Sequence, residues 1–146
     1  MLESHLSGYL SEDLPLKNVK ITGCTFTNVP RGLGSHTAIL NNPVDTIEVS
    51  NNTFKGLKSL AIQAMNWVNC TISNNKITDA PQGIMVYSIR ESGTFLASTA
   101  VKEGGVKSDT PTTYVKPTDQ NIKILNNDIN VSGTDPYEEY ENAAIF

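Results

Sequence analysis

The residues able to do chemistry on this chain fall in short polar stretches between apolar runs. They are Arg31 and His36, then Asn42 and Asp45, then Asn66, Trp67 and Asn69, and finally Tyr87, Arg90 and Glu91. A histidine beside arginines could take a C–H proton next to a carboxylate that a guanidinium neutralises, so His36, Arg31 and Arg90 are the candidate catalytic residues. An indole or phenol ring flanked by amides suits a pyranose, whose apolar face lies on the ring while the amides bond its hydroxyls. Trp67, Tyr87, Asn66, Asp45 and Asn42 are therefore the candidate substrate-binding residues. Each has a plainer reading as well. Trp67 could cap a core under a loop, the arginines could be solvated or paired, and His36 after Gly34-Ser35 could be a satisfied turn histidine.

Those residues need a frame, and the frame is a repeat. Four eight-residue segments align without gaps: Val19–Phe26, Ile47–Phe54, Cys70–Ile77 and Ile122–Ile129. The shared pattern is apolar, polar, apolar, any, Asn, Asn, polar, apolar, with Gly23-Cys24 replacing the Asn pair in the first copy. Alternation in the first half marks a strand with one buried face. The Asn pair marks a sharp corner, because its short amide tolerates the left-handed backbone region. Copies begin 28, 23 and 52 residues apart. The first two spacings suit one coil of a β-solenoid, and the third adds an insertion over residues 90–120, read as a long loop or hairpin. Further apolar strands follow: Thr37–Leu40, Leu60–Gln63, Gly83–Val86 and Ala143–Phe146. The expected fold is all-β, a single domain over 1–146 with about four to five coils. Residues 1–16 are expected to form an N-terminal cap or partial coil. An antiparallel sandwich with Asn-rich hairpins is the competing fold.

Composition narrows the function. The 146 residues carry 11 Lys plus Arg against 15 Asp plus Glu, a formal charge of -4, and no basic cluster, which argues against a nucleic-acid binder. No apolar run is long enough to span a membrane, and no signal peptide is visible at Met1–His5. Cys24 and Cys70 lack metal-ligand spacing and stand on different columns of the repeat, so both are expected as small buried fillers rather than a disulfide. No metal site is expected from the residues themselves. The chain stops within the apolar Ala143–Phe146, so a truncated portion of a larger protein or end-to-end self-association is expected.

The modules resemble the right-handed parallel β-helix repeats of the pectin-lyase-like superfamily, with its asparagine ladder at the second turn. The stretch Asn28–Thr37 also resembles bacterial extracellular β-helix proteins. The resemblance implies that Ile47–Val49 belongs to a second sheet, Thr53–Lys55 to a third and Ala61–Gln63 to a first. It implies a polysaccharide partner over the first sheet, an extracellular or cell-surface bacterial setting, and lyase or epimerase action on acidic polysaccharide, with Ca²⁺ as a further means of neutralising carboxylates. Against catalysis, the expected first-sheet strands hold no Asp, Glu, Lys or Arg, and no paired carboxylates of the kind sugar hydrolysis needs. A non-catalytic binding or structural module, as on a cell surface or phage tail, is the alternative. The outward columns Lys20/Glu48/Thr71/Lys123 and Thr25/Thr53/Lys76/Asp128 are read as soluble faces, and Asn51 as a ladder residue.

Overall fold

Alternating Val, Ile and polar residues make each module a strand, a corner and a second strand, and the copies lie one above another. The computed structural model describes residues 16–34, 43–87, 93–96, 111–114, 119–136 and 142–146, the last residue of the second stretch and the two four-residue stretches by their backbone alone. Fourteen strands are described, β1 (Lys17–Thr22), β2 (Thr25–Thr27), β3 (Leu33–Gly34), β4 (Val44–Ser50), β5 (Thr53–Lys55), β6 (Leu60–Met65), β7 (Trp67–Ser73), β8 (Lys76–Ala80), β9 (Gln82–Tyr87), β10 (Gly93–Leu96), β11 (Pro111–Tyr114), β12 (Ile122–Leu125), β13 (Asp128–Val131) and β14 (Ala143–Ile145). They form three four-stranded parallel sheets. The first orders β3-β6-β9-β14, the second β1-β4-β7-β12 and the third β2-β5-β8-β13. The chain is a parallel β-helix, and a sandwich of hairpins is excluded. Among the described residues the one antiparallel pair, β10 with β11, is a hairpin inside the insertion, Gly93 opposite Tyr114.

Register follows the repeat residue for residue. Val19 pairs with Ile47, Ile47 with Cys70 and Cys70 with Ile122. Equivalent side chains therefore stack in columns. Ile21, Val49, Ile72 and Ile124 form one and Phe26, Phe54, Ile77 and Ile129 another, the two phenyl rings lying parallel with centroids 4.8 Å apart. Val49, Phe54, Ile62, Ile72, Ile77 and Ile84 are wholly buried and make the centre of the core.

The corner between second and third sheets divides its work between the two Asn positions. Gly23, Asn51, Asn74 and Asn126 take positive φ, from 53° to 66°, and turn the chain. The next residue stacks inside. Asn75 Oδ1 accepts hydrogen bonds from the Asn52 amide N–H (3.0 Å) and Nδ2 (3.0 Å), and Asn127 Oδ1 accepts the same pair from Asn75 (3.0 and 2.9 Å). Each Nδ2 also donates to a carbonyl of the rung before, on Ile21, Val49 and Ile72. The ladder is thus Asn52, Asn75 and Asn127, and Asn51 is corrected from ladder residue to exposed corner residue. Cys24 holds the vacant first slot, its N–H donating to Asn52 Oδ1 at 2.9 Å. Cys24 is exposed, not a buried filler, because the first rung has no coil above it among the described residues, whereas Cys70 is buried; neither is in a disulfide.

One other expectation changes. The first-sheet rung before β6 is Leu33–Gly34, paired with Ile62 and Gln63, while Thr37–Leu40 lies outside the described residues. Residues 1–15 and the acidic stretch 137–141 lie outside them too.

Candidate functional site

The expected site around the first sheet is only partly brought together. Arg31 stands half-buried in the turn between β2 and β3 and has a partner of its own. His36, Asn42 and Arg90 lie outside the described residues, and Tyr87 is described only as the backbone end of β9. Asn66 makes the corner between β6 and β7 with φ 55°, is 2% exposed, and its carbonyl accepts from the Val44 N–H at 3.1 Å. Trp67 opens β7 at 3% exposure within the core cluster. A ring so enclosed presents no face to a sugar, and the plainer reading of Trp67 as a core residue describes its position. The outward column of the first sheet is Gly34, Gln63 and Met85, yet Met85 is 3% exposed, so that face is not an open groove at its third rung.

Asp45 leads to a different place. It lies not in a loop beyond the first sheet but in β4, in the second sheet, where two successive residues, Asp45 and Thr46, turn outward. The cause is local. Asn18, Thr46, Asn69 and Asn121, which face one another across the rungs, all have positive φ, from 47° to 58°. A left-handed residue inside a strand bends it and swings the neighbouring side chains outward. The bend leaves a trough of about 460 Å³ across β1, β4 and β7. One wall is the column Asn18, Thr46 and Asn69, the other Lys20, Glu48 and Thr71, with Ser73 two residues past Thr71 on β7.

The first wall is itself a ladder. Asn121 Nδ2 donates to Asn69 Oδ1 at 3.0 Å, Asn69 Nδ2 donates to Asp45 Oδ1 at 2.8 Å, and the Thr46 hydroxyl donates to the same oxygen at 3.1 Å. The Asn69 amide, despite partial burial, holds the Asp45 carboxyl below its ordinary range, with help from Thr46 and Lys17. In the second wall Lys20 Nζ lies 2.9 Å from Glu48, whose other oxygen accepts from the Ser50 hydroxyl at 2.7 Å, and both contacts lower the Glu48 pKa. Both acids are therefore carboxylates at neutral pH.

Chemically this face offers amides, hydroxyls and matched ion pairs. Among the described residues no three His, Cys, Asp or Glu side chains converge. The buried carboxylate, Asp135, is 3% exposed and committed elsewhere. Its Oδ2 accepts from Ser59 Oγ (3.2 Å) and Gln82 Nε2 (3.1 Å), joining the last coil to the two before it. Sequence reasoning passed over the outer wall although a signal existed. Asn18, Asn69 and Asn121 each stand immediately before the module's first apolar residue, a column as regular as the Asn pairs themselves.

A family model for the right-handed beta helix region matches residues 14–135. No curated protein and no solved structure matches the chain.

Proposed function

The chain belongs to the right-handed β-helix family, and from that premise we propose that it is a carbohydrate-associated solenoid that holds a polysaccharide against its outer surface. The observation that carries this is the open trough on the second sheet, walled by Asn, Thr, Lys, Glu and Ser residues with Val19 and Ile47 between them. Sugar recognition needs many short-range donors and acceptors in a fixed array, and rigid stacked rungs supply them without ordering a loop on binding. An extracellular or cell-surface bacterial setting goes with the proposal and is supported by the sequence resemblance. Among the described residues no helix is long and apolar enough to cross a membrane. The test is affinity electrophoresis through gels carrying a panel of soluble polysaccharides. Retardation by at least one polymer is expected, and free migration through all of them overturns the proposal.

A catalytic version, lyase or epimerase action on acidic polysaccharide, would rest on His36, Arg31 and Arg90. Its support is Arg31 at the turn leading into the first sheet, next to the rim where such chemistry would sit. Incubation with pectate and alginate, followed by the ultraviolet absorbance of unsaturated products, tests it; a flat trace with binding retained leaves the non-catalytic module. End-to-end self-association is a further part of the proposal. It is supported by Ile145, which pairs with the core residue Ile84 yet is 52% exposed on the last described rung, and analytical ultracentrifugation at high concentration measures it.

A further inference from the structure

We infer that the second-sheet trough selects a neutral linear glycan, lying parallel to the solenoid axis, over a polyanion. This rests on the carbohydrate reading and adds to it a place, a direction and a charge class. The first argument is charge. The two cations that flank the upper rungs are each matched by a carboxylate on the next rung, Lys17 to Asp45 at 3.8 Å and Lys20 to Glu48 at 2.9 Å. A polyuronate entering there would meet the ionised Glu48 in the lining, with Asp45 just beyond Thr46, and would have to compete for ammonium groups already paired. A neutral polyol meets no such repulsion, and like-charge juxtaposition is one of the ways a recognition surface excludes a wrong partner.

The second argument is bonding capacity. Much of the outer ladder is satisfied internally, but the side chains of Asn18, Thr71 and Ser73 make no hydrogen bond to other described residues. They line the trough on its first and third rungs. An amide and two hydroxyls, each able to donate and accept, complement sugar hydroxyls, which do both. The third is direction. The walls run across the strands, so a ligand between them follows the axis, meeting a new rung every ~4.8 Å. That repeat is close to the length of one sugar ring in an extended chain, so successive rings meet equivalent positions.

The experiment uses the full chain and gels containing a neutral β-glucan, xylan or galactomannan, or alternatively polygalacturonate or alginate, each at low and at high sodium chloride. Expected is retardation by a neutral polymer, changed less than twofold by salt, because no counterions are released. Thr71→Arg, which fills the trough in a column that already carries lysines, should weaken retention at least tenfold. Asn69→Gly should weaken it several-fold, and glycine keeps the positive φ available. Lys123→Ala, beyond the trough, should leave it within twofold. Thermal melts establish that the variants fold. Amide chemical-shift changes at Thr71 and Ser73 on adding a neutral oligosaccharide locate the ligand without any substitution. Retention by polyanions alone, abolished by salt, overturns the charge class while leaving a carbohydrate role standing. Neutral binding that ignores both trough variants and leaves those amides unmoved overturns the location. No retention by any polymer removes the carbohydrate reading together with this inference.

Discussion

Asn52, Asn75 and Asn127 stack inside the coil, while Asn69 and Asn121 stack with Asp45 on its outer surface, one residue type at one rung spacing in two solvents. Within, Asn52 and Asn75 are 0% exposed, and every amide group points at a partner fixed by the neighbouring coil. Water cannot replace a lost bond there. Outside, Asn69 and Asn121 are exposed and water competes for each contact. Burial turns the first ladder into a structural spine, because an unmade bond in it costs the full desolvation of the orphaned group. Exposure leaves the second available, since its bonds can be exchanged for those of a ligand at little net cost.

The sharpest way to break this contrast is to remove one rung from each ladder. Asn75→Ala removes the acceptor of the Asn52 N–H, one of the two bonds of Asn52 Nδ2 and a donor to the Val49 carbonyl together, and is expected to cost about 3 kcal/mol or more in denaturant unfolding. If it unfolds at the wild-type midpoint, the inner ladder is not a spine. The two cysteines sharpen the same distinction. Burial pushes the Cys70 thiol up to about 12 from an ordinary 9.0, whereas Cys24 is exposed. In the folded protein a thiol reagent should label Cys24 and leave Cys70 roughly a thousandfold less reactive than an ordinary thiol, until denaturant frees it. Labelling of both at similar rates would put Cys70 outside the core.

Smaller effects belong to the outer ladder. Asn69→Gly should shift the unfolding free energy by less than about 1 kcal/mol, because water takes over the bonds it loses. A cost equal to that of Asn75→Ala would erase the inside–outside difference. The same substitution should let the Asp45 pKa rise back toward its ordinary 3.8, as followed by carboxyl chemical shifts during an acid titration. The folded-state pKa is lowered, so Asp45 contributes stability at pH values above 3.8 and loses it as pH falls through the lowered value. Asn69→Gly should flatten that acid dependence, because the stability it removes is lost at neutral pH and was already absent in acid.

How much of this was legible in advance differs by level. The eight-residue module was, because one buried face forces period-two alternation and a fixed corner forces a fixed residue type. The spacings translated directly into strand register, Val19 to Ile47 to Cys70 to Ile122. Which Asn of each pair points inward was not, since both types of corner residue favour Asn, one for backbone freedom and the other for its amide. The site was less legible still. Trp67 and Asp45 stand 22 residues apart, yet both lie near the starts of neighbouring second-sheet strands, Val44 pairing with Trp67. The indole goes inward and the carboxylate outward. Nothing in their local sequence distinguishes those directions; the left-handed bends at Thr46 and Asn69 do.

By itself, then, the amino-acid order determined the winding: strand periodicity, corner placement and the columns that stack are local properties repeated four times. Tertiary structure alone decided which columns face water, where the bent strands open a trough, and that Lys17 and Lys20 meet carboxylates one coil away. Those depend on residues far apart in the chain meeting across a single rung, which local preference does not encode.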